Sequence, residues 1–129
     1  MNLLDENMPD SQRQLLRSWR VRVRQIGQEV GRRGMRDREV ISLLHRLGGV
    51  TLFTRDLGLC HPQLCHARYC LICLAVGQYE SASFIRRLLR HPAFNTYAKR
   101  LGKVLRVSRP GIRVWRVGAE VGETVAWPG

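Results

Sequence analysis

Apolar and polar positions alternate along this chain with two periods, one suited to strands and one to helices. Leu3-Leu4, cut off at once by Asp5-Glu6-Asn7, reads as a short buried strand that stops at polar residues. Pro9 suits the first turn of a helix, Asp10 is placed for the helix dipole, and Leu15, Leu16 and Trp19 supply its apolar stripe. Arg20 to Arg24 alternates Arg and Val, the period-two pattern of a strand with one exposed face. Gly27, Gly31 and Gly34 mark a flexible basic loop. Asp37 opens a second helix, with Val40, Ile41, Leu44 and Leu47 at helical spacing and Gly48-Gly49 at its end. Val50–Thr54 is a buried strand that ends at Arg55-Asp56. After a loop carrying His61, Pro62 and His66, Tyr69–Val76 reads as another central strand. Glu80 to Leu89 follows as a helix with Phe84, Ile85, Leu88 and Leu89 inward, and a shorter helix runs from about Asn95 to Leu101. Val104–Ser108 and Ile112–Val117 pair across the Arg109-Pro110-Gly111 turn, and Trp115 falls on the core side.

Strands alternating with helices predict an α/β fold: a mainly parallel sheet, helices on both faces and a C-terminal β-hairpin. The 129 residues suit one domain, placed at residues 1–117, with residues 118–129 as a loosely held tail. Hydrophobic residues make up 44%, enough for a core. The longest apolar run, Cys70–Val76, falls short of the roughly 20 residues a membrane span needs. MNLLDEN has no basic lead-in before an apolar stretch, so no signal peptide is visible and a cytoplasmic location is expected.

Charge narrows the picture further. Lys and Arg number 22 against 10 Asp and Glu, a formal net charge of +12, and Ser81 to Ala119 holds ten basic residues and no acid. Such a field concentrates polyanions and makes binding salt-sensitive through counterion release. Nucleic acid is the expected partner, with a solvated basic surface or an acidic protein as the alternatives.

Three aspartates carry the candidate chemistry. Asp5 follows the first strand, Asp37 starts a helix and Asp56 follows the third strand. Ligands of open α/β sheets bind beyond the carboxyl ends of the strands, where such residues converge. Clustered carboxylates repel and raise one another's pKa unless a cation intervenes. Mg²⁺ or Mn²⁺, with their preference for oxygen, fit that need and can activate a water against a phosphodiester. Taken singly, Asp37 reads equally as a helix N-cap and Asp56 as a turn former before Gly58. Glu80, starting a helix past a strand, lies at the same predicted rim or serves the helix dipole.

Cys60, Cys65, Cys70 and Cys73, with His61 and His66, form the rival site. Without a secretion signal a disulfide framework is not expected. Cys70 and Cys73 lie three apart within a strand, so they face opposite sides and cannot easily share one zinc ion. Buried free thiols are the expectation, and a zinc-stabilised interaction protein the competing one. Both histidines read as loop residues, within reach of a phosphate near the acids. Tyr97 and Trp115 could stack on bases, although Trp115 fits the core better.

Several of these segments together resemble the PIN-like ribonucleases. Leu3-Leu4-Asp5-Glu6-Asn7-Met8-Pro9 looks like the opening of a compact branch of that superfamily. Asp37-Arg38-Glu39-Val40-Ile41 and Val50–Asp56 are similar to its helix-start Asp and "TRD" strand end. Gly102-Lys103-Val104 and Arg109 to Val114 resemble its closing hairpin. The resemblance spans about residues 3–117. It implies a PIN-like three-layer α/β/α sandwich and a metal-dependent endoribonuclease, often the toxin of a toxin–antitoxin pair of the virulence-associated-protein C type. The metal ligands would be Asp5, Asp37 and Asp56, with Thr54 and Asn7 positioning water or carboxylate and Glu6 in support; Glu80 joins the supporting residues by its position at the rim alone. Arg33, Arg36, Arg38, Arg55, Arg86 and Arg87 are the expected RNA contacts. A cognate antitoxin covering the basic rim is implied, and a homodimer is common among similar proteins. One departure stands out: PIN domains usually carry a further helical acid between the first two aspartates. Beyond Glu6 that interval holds only Asp10 and Glu29, so a catalytically weak or inactive nucleic-acid-binding protein is the second reading.

Overall fold

Two strands that are buried at every position organise the molecule. Val50–Thr54 (β3) and Tyr69–Leu74 (β4) have no exposed residue, as parallel strands require when helices cover both sheet faces. The computed structural model, which describes residues 1–129, adds five further strands to this pair. They are β1 (Asn2–Leu4), β2 (Arg24–Gln25), β5 (Lys103–Val107), β6 (Ile112–Arg116) and β7 (Glu123–Val125). The sheet order is β2-β1-β3-β4-β5-β6-β7. The strands from β2 to β5 in that order run parallel; β6 is antiparallel to β5, and β7 is antiparallel to β6.

Register separates the core into two layers. Leu4, Phe53, Ile72, Leu105 and Val114 stand opposite one another across five strands. They face helices α1 (Asp10–Ser18) and α3 (Ser81–Arg90), which add Leu16, Phe84, Ile85 and Leu88. Leu3, Leu52, Leu71 and Val104 form the next row and face α2 (Asp37–Leu47), which supplies Leu43 and Leu44. The strand period of two thus places consecutive residues in different cores. Cys70 falls in the first layer and Cys73 in the second, as their spacing predicts. Trp115 packs, half-buried, against the α2 side. Below β5, a single-turn helix α4 (Tyr97–Arg100), capped by the Thr96 hydroxyl, sends Arg100 inward to Thr51 Oγ1 at 3.1 Å and the Phe94 carbonyl at 2.6 Å.

Three expectations change. Arg20 to Arg24 is not a strand: only Arg24 and Gln25 pair, parallel to β1. α1 closes instead through bonds from the Arg20 amide to Arg17 O and from the Val21 amide to Leu16 O, both 2.9 Å. This Schellman-like closure puts Arg20 at φ 62°, the only non-glycine with positive φ. The alternation seen in sequence survives as Val21 and Val23 leaning on the core while the arginines stay outside. Pro9 precedes α1 as its N-cap rather than lying within its first turn. The segment after Gly118 is no loose tail, because β7 pairs with β6 and Trp127 packs near Phe84 and His91. The Trp127 indole also donates to Ser108 O at 2.8 Å, so the folded unit extends past residue 117. No helix is long and apolar enough to cross a membrane.

Candidate functional site

β1 and β3 are parallel neighbours with Leu4 opposite Phe53, so the residues following them leave the sheet at the same edge. Asp5 comes directly after β1, its amide still bonded to Phe53 O at 3.1 Å. Asp56 lies two residues past β3, and Asp37 is the first residue of α2. Thr54, buried at 1% exposure, joins two of these acids. Its hydroxyl donates to Oδ2 of Asp5 and accepts from the Asp56 amide at 3.0 Å. Oδ1 of Asp5 accepts the Asn7 amide at 2.7 Å, and Oδ1 of Asp56 accepts the Gly58 amide at 2.9 Å. Asp56 is therefore a turn former that also lines the recess at this edge. Asp37 is not an N-cap: Arg36 holds that place, and its amide donates to Glu39 Oε1 at 3.3 Å.

The three aspartates converge on one cavity of about 70 Å³, which Glu6, Asn7 and Thr54 also line and Ile26, Val40, Leu52 and Leu59 wall with apolar surface. Asp5, Asn7 and Asp56 also border a wider cleft of about 300 Å³ with Met8 and Arg55. Burial, then the charge of Asp56, then a hydrogen bond with it hold the Asp37 carboxyl above the ordinary aspartate value. Two carboxyl groups forced together in this way are a pair that a cation would relieve. No three His, Cys, Asp or Glu side chains form a ready-made coordination shell. The donors fit an ion that binds one or two carboxylates and keeps several of its waters, as Mg²⁺ does.

The other expected residues divide sharply. Glu6 lines the cavity, but both its oxygens accept the Gly34 amide at 3.0 Å, so it pins the glycine loop against the site. Glu29 lies outside the cavity, engaged by Arg13, by Arg17 at 2.7 Å and by the Gln25 amide at 3.0 Å. Neither stands free as the further acid. Glu80 is a correction: it accepts the Gly77 amide at 3.2 Å, pairs with Arg109 and lines a separate cleft. Of the expected RNA contacts only Arg55 borders the aspartate cleft, its Nε held by Val76 O at 3.0 Å. Arg33, Arg36 and Arg38 are exposed but line neither recess. Arg86 stacks on Trp19 at 3.6 Å and Arg87 on Trp127 at 4.3 Å, away from both. His66 stacks on Tyr69 beside His45 in the last turn of α2, at the far end of the sheet, so it does not serve the aspartates. His61 also lies outside both recesses.

One positioning residue escaped the sequence reading. Gln25 is buried, and its Nε2 donates to the carbonyls of Asp5 and Met8, each at 3.0 Å. It fastens the turn on which Asp5 and Asn7 sit. The only signal in the sequence is a polar residue where the Arg–Val alternation calls for an apolar one. No protein-family model, curated protein or solved structure matches this chain.

Proposed function

We propose that the protein is a metal-dependent endoribonuclease with a PIN-like α/β/α fold, acting through Asp5, Asp37 and Asp56. The observation that carries this reading is the convergence of these three side chains on one cavity, with Asp37 and Asp56 facing each other. A bound Mg²⁺ or Mn²⁺ would supply an acidified water and offset charge on the scissile phosphodiester. The chain's own residues do the rest. Thr54 fixes Asp5 relative to Asp56, Gln25 holds the Asp5 turn, and Arg55 offers its remaining N–H groups to a phosphate oxygen in the wider cleft. The net charge of +12 draws the substrate in. The proposal extends to a toxin whose cognate antitoxin covers the basic rim.

The test is cleavage of RNA with and without Mn²⁺, comparing wild type with Asp56→Asn. Cleavage confined to wild type with Mn²⁺ is the expected result; undiminished cleavage by Asp56→Asn would remove the site. A second reading, a nucleic-acid-binding protein without chemistry, draws support from the engagement of Glu6 and Glu29 elsewhere. It predicts salt-sensitive binding with no metal dependence and no cleavage.

A further inference from the structure

At the other end of β1 from Asp5, a cleft of about 540 Å³ opens where α1 ends and β2 begins. Arg17, Arg20, Arg22 and Arg24 line it, and no acidic residue does. Arg17 is paired with Glu29 at 2.7 Å, but Arg20, Arg22 and Arg24 are exposed and belong to none of the ion pairs of the fold. Tyr97, 41% exposed, forms part of the wall, and the Arg100 guanidinium lies 4.6 Å from its ring centroid.

Two features set this cleft apart from an ordinary solvated surface. Val21 and Val23 pack on the core, which turns Arg20, Arg22 and Arg24 outward together. Arg20, moreover, occupies a left-handed conformation at φ 62°, which costs a side-chain-bearing residue about 1 kcal/mol. Every other positive φ in the chain belongs to a glycine. An arginine at a position where glycine is easier points to a use for its side chain.

We propose that this cleft is a second RNA-binding site, in which the arginines hold the backbone of single-stranded RNA and Tyr97 stacks on a base. It lies at the opposite sheet edge from the aspartates and uses none of their residues. The choice of RNA rests on the function proposed above, but the binding itself requires neither metal nor cleavage.

The experiment measures binding of a fluorescent oligouridylate, and of inorganic polyphosphate, in EDTA over a range of salt. Arg22→Glu/Arg24→Glu is expected to weaken RNA binding about tenfold and to reduce the log–log salt slope by about 1.4. Arg90→Glu/Arg106→Glu makes the same charge change on exposed residues elsewhere and is expected to cost about twofold. Tyr97→Ala is expected to weaken RNA binding about fivefold or more and leave polyphosphate unaffected. Equal losses in the two double variants would overturn the site. Insensitivity of RNA binding to Tyr97→Ala, with polyphosphate bound as tightly, would overturn its assignment to RNA. Cleft-dependent binding without any cleavage would sink the nuclease reading alone, and cleavage with no cleft dependence would sink the present inference alone.

Discussion

Replacing Thr54 with valine keeps the volume and branching of a fully buried side chain and removes a single oxygen, the one that links Asp5 to Asp56. A hydrogen bond donated to an ionised carboxylate contributes about 1.5–3 kcal/mol, and the bond from the Asp56 amide about 0.5–1.5 kcal/mol. Asp5 is half-buried and Asp56 exposed, so water takes over part of both. The net loss then comes to about 2 kcal/mol. With a urea dependence of about 2 kcal/mol per molar, the unfolding midpoint should fall by about 1 M. Thr54→Ser keeps both bonds and gives up one buried methyl, about 0.8 kcal/mol. Valine should therefore cost more than serine, and a double-mutant cycle with Asp5→Asn should show coupling of about 1 kcal/mol. Mn²⁺-dependent RNA cleavage should fall in the same order. A valine variant within about 0.5 kcal/mol of wild type, or one more stable than serine, would refute the role given to this hydroxyl.

Three other outcomes follow from the same geometry. Because burial and Asp56 raise the Asp37 pKa in the folded chain, its contribution is full below the ordinary value of 3.8 and is lost as pH rises through the folded value. Asp37→Asn should thus gain stability over wild type as pH climbs above the ordinary aspartate value, read as the difference between their melting temperatures, and should lose any stabilisation by Mn²⁺. Trp127→Ala should lower stability by about 2 kcal/mol in urea unfolding, since it removes a half-buried ring and the bond to Ser108 O; no change would mean a segment that is not docked. The Cys73 hydrogen bond, working against burial, pulls the half-buried Cys60 thiol below its usual pKa, whereas burial pushes Cys70 up to about 12. Ellman's reagent followed by mass mapping should therefore mark Cys60 in the native protein and Cys70 only after unfolding.

The parts of this fold that could be read from sequence are those fixed by short-range periodicity. The unbroken apolar runs of β3 and β4, the spacing of Val40, Ile41, Leu44 and Leu47 in α2, and the Pro-Gly turn between β5 and β6 all appear close to where the pattern puts them. The meeting of Asp5, Asp37 and Asp56 was legible for a related reason: parallel neighbours deliver the residues after them to one edge. Arg20 to Arg24 misled because a segment leaning on the core alternates in burial just as a strand does, and the left-handed turn at Arg20 leaves no mark in composition. The fates of Glu6, Gln25 and Glu80 depend on partners 28, 20 and 29 residues away, beyond what any local pattern encodes. β7 and Trp127 were hidden by a glycine-rich stretch, although Glu123-Thr124-Val125 followed by Trp127 is the combination that docks.

The two margins of the sheet have a consequence for how this molecule behaves in company. β2 spans two residues and β7 three, so the free backbone groups available to a neighbouring chain are few on either side. Arg24 guards one flank and Glu123 the other. Side-by-side strand addition, the usual path from open sheets to fibres, finds only a short template on either margin, so the apolar central strands are shielded from pairing with a second copy.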